Sequence, residues 1–246
     1  MSSLILVHTR YQLLEQFRVP IGVLASSLFP AVAMLAFVVP FVGKDTQAAT
    51  LATGSLMFFG AMSSALFSLS IGVAQDRELP WNPYLRTLPA GPLPRLGGRI
   101  LATLIMMLVS VVPVLVVGAI FTEATISPAR LLLGLGALIV GGLPFMLLGL
   151  FMGLTLAFKA AVGVTQLVFF PLAVVGGLLL PPQVMPDFIE VISIFTPARD
   201  AAELLWAAIA GHRPEPVALI MLAVWTVVTA AAAGWAYRRD EGRRFS

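Results

Sequence analysis

The side chains able to do chemistry are few, and most fall in two stretches. The first is residues 74–99, AQDRELPWNPYLRTLPAGPLPRLGGR. Asp76, Arg77 and Glu78 open it, and Trp81, Tyr84, Leu85, Arg86 and Leu88 follow. Charge interleaved with aromatic and apolar side chains suits a contact surface better than a reaction centre. The second stretch, residues 187–215, carries Asp187, Glu190, Arg199, Asp200, Glu203 and Glu215. Its carboxylates are the groups best placed for acid–base work. They serve equally well to solvate the segment, or to form a gate or rim that faces a substrate.

Other chemistries are excluded by what the chain lacks. With no Cys, disulfides and thiolate nucleophiles are ruled out. His8 and His212 are the only histidines and lie far apart, so no metal cluster is expected from them. Lys44 and Lys159 are the only lysines, and neither follows the glycines of a phosphate-binding loop. There is no HExxH, no dinucleotide fingerprint and no GxSxG elbow. No catalytic residue, metal ligand or cofactor is assigned to the chain, and no nucleic-acid surface is read from its basic residues.

The elements around these stretches are membrane-like. Of the 246 residues 59% are hydrophobic and 11% charged, against about 25% charged in a soluble domain. Mean hydropathy is +0.97. A helix needs about 20 apolar residues to cross the hydrocarbon, and six such spans are expected: 20–42, 51–73, 100–121, 131–158, 160–180 and 217–237. Pro113 predicts a kink in the third, Gly141-Gly142-Leu143-Pro144 a tilt or break in the fourth, and Pro171 an interruption in the fifth. Before them, Leu4, Ile5, Val7, Tyr11, Leu14 and Phe17 recur at helical spacing, which predicts an amphipathic helix over 1–18 lying at the interface. Residues 181–215 are too broken by charge to span. One or two short helices are expected there at the membrane surface, dipping part way in, with Thr196-Pro197 as a helix start.

Orientation follows from the basic residues. Six spans put both termini on one side with Arg10, Arg18, Arg77, Arg86, Arg95, Arg99, Lys159, Arg238, Arg239, Arg243 and Arg244. The other side holds Lys44, Arg130, Arg199 and Arg213. The basic excess belongs in the cytoplasm. Both termini and residues 74–99 are therefore expected there, with 181–215 outside.

The spans contain almost no ionisable groups, which argues against an ion-coupled pump. They hold hydroxyls and one amide. Ser63, Ser64, Ser68 and Gln166 either hydrogen-bond between helices or line a pathway. A transporter without internal energy coupling needs a partner, and a partner needs a docking surface. Trp81, Tyr84, Leu85 and Leu88 recur at three- to four-residue spacing, so a short surface helix is expected in the 74–99 loop. It either seats in a cleft of a soluble protein or anchors the interface through its aromatics.

The whole chain resembles the permease subunit of an ABC-2 type ATP-binding-cassette exporter, in layout and in local motifs. The family has an N-terminal amphipathic helix, six spans, and a cytoplasmic loop between spans 2 and 3. In that loop an acidic start leads to a short helix and a Thr-Pro-Leu-like, basic, glycine exit. Here these are Asp76-Arg77-Glu78, then Thr87-Leu88-Pro89, Pro94-Arg95 and Gly97-Gly98-Arg99. Leu79-Pro80-Trp81-Asn82 stands where the family usually has a glycine. The family's external segment is matched by Pro181-Pro182, Pro186, Thr196-Pro197 and Arg199.

The resemblance implies an all-α integral membrane protein of the ABC-2 (type V) exporter fold, in the bacterial cytoplasmic membrane. It implies a second permease copy or a paralogous permease, and two separate soluble ABC ATPase subunits that bind ATP and Mg. ATP-driven closure would pass through Asp76, Arg77, Glu78, Trp81, Tyr84, Leu85, Arg86 and Leu88 to spans 1, 2 and 5. Asp187, Glu190, Arg199, Asp200 and Glu203 would rim the external gate. An amphipathic or hydrophobic cargo such as a drug, polyketide or lipid suits the apolar spans, and polysaccharide exporters share the layout. The rival readings are an intramembrane lipid-modifying enzyme, built on the external acids, and an anchoring protein with no pathway.

Overall fold

The computed structural model describes residues 2–18, 28–81, 84, 93–179 and 185–242, and among them there are helices and no strands. Helix α1 (Ser2–Arg18) is followed by α2 (Leu28–Val42), and α3 (Thr46–Glu78) by α4 (Leu93–Phe121). Next come α5 (Pro128–Thr155), α6 (Phe158–Val175), α7 (Asp187–Ser193), α8 (Pro197–Ala210) and α9 (Pro216–Gly242). Five of them, α3, α4, α5, α6 and α9, are long and apolar enough to cross a membrane.

The first expected span is met in part. Its second part is α2, roughly 22 Å long at 1.5 Å per residue, too short to cross about 30 Å of hydrocarbon. Residues 19–27 lie outside the described residues. Within α2 the turn Met34–Val38 widens to a π-helix, with Val39 N–H donating to Met34 O. Pro40 follows directly. It has no N–H and its ring crowds the carbonyl four residues back, and the wider turn relieves that crowding.

Helix α3 is the axis of the bundle. Asp45 caps it by accepting from Gln47 N and Ala48 N, each at 2.9 Å. Its packing is closest with α5 and α4. Phe59 and Phe67 meet α6 edge-on at Phe169, with ring centroids 4.9 and 5.4 Å apart. Hydroxyl pairs add to these seams: Ser68 with Thr103 at 3.0 Å, and Thr165 donating to Ser70 at 2.7 Å. Helix α5 continues without a break through Gly141-Gly142-Leu143-Pro144. Its glycines are points of close approach. A Cβ at Gly141 would stand 2.9 Å from Ala201 Cβ, and one at Gly153 2.6 Å from Leu69 O.

Helix α1 packs along α4. Its inward stripe is Ile5, His8, Thr9, Gln12 and Gln16, mostly polar, while Leu6, Val7, Tyr11 and Phe17 face out. Gln16 Nε2 donates to Ser68 at 3.5 Å, and Thr9 Oγ1 lies 3.3 Å from Gly98 O. Arg10, Glu15 and Arg18 are exposed on the same outer face, so it carries charged as well as apolar side chains.

In the segment 181–215, α8 enters the bundle between α5, α3 and α9. Ala198, Ala201, Ala202, Leu205 and Ile209 are fully buried. Ala201 reaches the level of Phe58, roughly 18 Å along α3 from its first residue. A row of small residues makes this possible: Ile209 rests on Gly54 and Gly134, and Ala198 on Gly176. Thr196 caps α8, and Gly211, at φ 81°, ends it in the left-handed region. The short α7 exposes Phe188, Val191 and Ile192. Residues 180–184, including Pro181 and Pro182, lie outside the described residues.

Candidate functional site

The acidic start Asp76-Arg77-Glu78 is helical. Helix α3 runs through Glu78 and α4 begins at Leu93, so the 74–99 segment contracts to a connection over 79–92. The chain stays helical because nothing breaks it before Pro80, and the three charged side chains find partners on neighbouring helices.

Each of the three reaches a different place. Asp76 Oδ2 accepts from Arg99 Nη2 on α4 at 2.9 Å. Arg99 reaches it by lying across Gly72, where any side chain would block the guanidinium. Arg77 Nε donates to Asp240 Oδ1 on α9 at 3.2 Å, and Arg77 Nη1 donates to the carbonyls of Gly153 and Leu156 at 3.1 and 3.2 Å. Those carbonyls close the end of α5, where unpaired oxygens carry the negative end of the helix dipole. Glu78 Oε1 accepts from Phe158 N–H at 2.8 Å. Ala157, at the N-cap of α6, has no side chain to do this, so the cap comes from α3. Three consecutive residues thus fasten the end of α3 to α4, α5, α6 and α9.

Trp81 and Tyr84 are 56% and 66% exposed. Leu85, Arg86 and Leu88 fall outside the described residues.

At the opposite end, α8 separates the proposed rim residues. Asp187 and Glu190 sit exposed on α7, away from the others. Arg199 and Glu203 line one cavity of about 430 Å³ with Val42, Asp45, Gln47, Ala48, Leu51, Ala52, Ser55, Trp206 and His212. The Arg199 guanidinium lies over the Trp206 ring, 4.9 Å from its centroid. Trp206 Nε1 donates to Ser55 Oγ at 3.0 Å, fixing the indole. Asp200 is 1% exposed and its Oδ2 has no hydrogen-bond partner. Burial pushes its carboxyl up to about 7, with Arg199 pulling the other way.

The pathway candidates scatter. Ser63 and Ser64 are buried and Ser68 is bonded in the α3–α4 seam, while Gln166 is on the exposed face of α6. Sequence reasoning missed Asp240 and Arg99 as partners, since both read as parts of charged flanks. An acid beside Arg238 and Arg239 was the one signal for the first. Trp206 and its hold on Ser55 had no signal.

The profile of the family described as "ABC-2 type transporter" matches residues 3–210. The chain belongs to the ABC-2 type transporter family. It is also similar to "Putative transport permease YvfS" of Bacillus subtilis (strain 168), with 24% identity over 187 residues, covering 76% of each chain. Membership and the five apolar helices make this ABC-2 type chain a multi-pass membrane protein of a transport-permease class. The matched region takes in Asp76, Arg77, Glu78, Arg199, Glu203 and Trp206.

Proposed function

We propose that the chain is the membrane-spanning permease subunit of an exporter, moving an amphipathic or hydrophobic molecule and driven by a separate soluble ATPase. The match of the family profile to residues 3–210 carries this reading. Two permease chains, identical or paralogous, pair in the bacterial cytoplasmic membrane, with ATP and Mg held by the ATPase subunits. Both chain ends belong in the cytoplasm. In support, His8 packs against Gly98 and Asp240 pairs with Arg77, so the described ends of the chain meet at the end of the bundle that bears 79–92.

The connection over 79–92 receives the ATPase, with Trp81, Tyr84, Leu85, Arg86 and Leu88 as its contact residues. A push there reaches Asp76, Arg77 and Glu78 within one or two turns. The three contacts then distribute it from α3 to α4, α5, α6 and α9, a set that shares spans 2 and 5 with the expectation from sequence but not span 1. Arg199, Asp200 and Glu203 stand at the opposite end as part of the exit.

The test is affinity purification of the chain from mild-detergent extracts of its native membrane, with mass spectrometry of what accompanies it. Stoichiometric recovery of a P-loop ATPase is the expected result. Recovery of the chain alone, in a preparation that keeps other complexes intact, would remove the coupled-exporter reading. Replacing Tyr84 or Arg86 is expected to leave ATP hydrolysis running while transport fails, and full coupled activity in both variants would sink the contact assignment.

A further inference from the structure

The cavity beside α8 is built for a ligand of one charge type. Its volume, about 430 Å³, falls in the range of small-molecule pockets, about 300–1,000 Å³. Most of its wall is apolar: Val42 from α2, and Ala48, Leu51 and Ala52 from the first turns of α3. Asp45 is occupied in capping α3. The remaining cation is Arg199. It makes no ion pair among the described residues, and its Nη1 is buried without a hydrogen-bond partner.

The location makes that unusual. Trp206 and Ser55 place the guanidinium roughly 14 Å along α3 from its start. The Trp206 ring supports one face of the guanidinium, and cation–π contact orients it without using any N–H. Its planar fork of donors is thus left for a carboxylate, sulfonate or phosphate, the groups such a fork matches best. Glu203, one turn along α8, also lines the cavity and does not pair with Arg199. Its negative charge disfavours an anion on its own side of the cavity. An incoming acid therefore has one favourable position, on Arg199, with its apolar body along α2 and α3.

The geometry points to an anion-binding subsite for a small apolar acid in this cavity, with Arg199 as the anion-holding residue and Trp206 as its platform. As a subsite of the export path it rests on the permease reading, but binding is tested without transport or ATP, so either can fail alone.

The test uses the full chain in phosphatidylcholine nanodiscs, with Trp81, Trp225 and Trp235 replaced by Phe so that Trp206 alone fluoresces. The probes are 3,5-dibromobenzoate, whose bromines quench indole, and the neutral 3,5-dibromobenzamide. Saturable quenching by the acid is expected, with the amide about tenfold weaker, the size of one charge-assisted hydrogen bond. Arg199→Gln should bring the acid down to the amide's level, Arg199→Lys should restore part of the difference, and Glu203→Gln should tighten the acid. Equal affinity for acid and amide would overturn the proposal. So would an Arg199→Gln chain, folded by circular dichroism, that binds the acid unchanged. Should Arg199→Gln not fold, an unchanged affinity in Glu203→Gln overturns it instead. Adding phosphatidylglycerol separates the sources. Competition with the probe supports a lipid headgroup as the natural anion, and its absence a free acid.

Discussion

Arg77 Nε lies 3.2 Å from Asp240 Oδ1, joining the last turn of α3 to the far end of α9 across 163 residues of chain. The same guanidinium closes α5 through the Gly153 and Leu156 carbonyls. One side chain therefore serves an acid and a helix end together in a partly buried place. Arg77→Ala should cost about 2–3 kcal/mol, more than an exposed ion pair, because it removes the ion pair and both hydrogen bonds to the α5 carbonyls at once. Asp240→Ala should cost less, and the double-mutant cycle should give a coupling of about 1 kcal/mol. Unfolding in mixed micelles measures all three. A coupling near zero would mean that the pair is incidental and that the carbonyls are what Arg77 serves.

Glu78 caps α6 from another helix, so the type of side chain there should matter in an unusual way. Glu78→Gln keeps an oxygen that accepts from Phe158 N–H and should lose little. Glu78→Ala removes the acceptor and should cost about 1 kcal/mol, the worth of an N-cap. Hydrogen exchange at Phe158 reads this directly, and about fivefold faster exchange in the Ala variant alone is expected. Equal exchange in wild type and both variants would show that the bond at 2.8 Å does not protect that amide.

What the sequence disclosed and what it hid divide along a physical line. Five of the six expected spans were visible because crossing a bilayer demands a long apolar run, and the ends of α5, α6 and α9 fall within about five residues of the hydropathy breaks. The charged start at Asp76 was visible as a departure from that run. Its role as a fastener was not, because it depends on backbone groups at Gly153, Leu156 and Phe158, which carry no side-chain signal. The depth of helix α8 was hidden for a related reason. Arg199, Asp200 and Glu203 make its sequence read as surface, yet its other face is Ala198, Ala201, Ala202, Leu205 and Ile209, small enough to slide into the notches left by Gly54, Gly134 and Gly141. Whether a charged helix lies on a bundle or enters it is decided by the shape of what it meets.

The glycines of α5 separate close approach from mere composition. At Gly153 a Cβ would meet Leu69 O at 2.6 Å and Ser70 O at 2.8 Å, both backbone atoms that cannot swing away. At Gly136 it would meet nothing within 4 Å. Gly153→Ala should therefore push α5 from α3 and cost about 1–3 kcal/mol, while Gly136→Ala should be neutral or gain up to about 1 kcal/mol from helix propensity. Melting temperatures in one detergent compare them. Equal effects at both positions would argue against the tight α3–α5 seam.

Asp200 gives a pH signature of opposite sign to the usual carboxylate. Its folded-state value of about 7 stands above the ordinary 3.8, because burial disfavours the ionised form more than Arg199 favours it. A carboxyl raised on folding binds its proton more tightly in the folded chain. Its contribution to stability is fully present below about pH 4 and is lost as pH rises through 7. Asp200→Asn keeps the shape and the neutral state at every pH. The variant should therefore melt higher than wild type at pH 8, and the gap should shrink steadily toward acid and close only near pH 4, other groups titrating alike in both chains. A constant gap across that range would place the effect in packing, and a gap that widens toward acid would mean that Asp200 is ionised and paired in the folded protein.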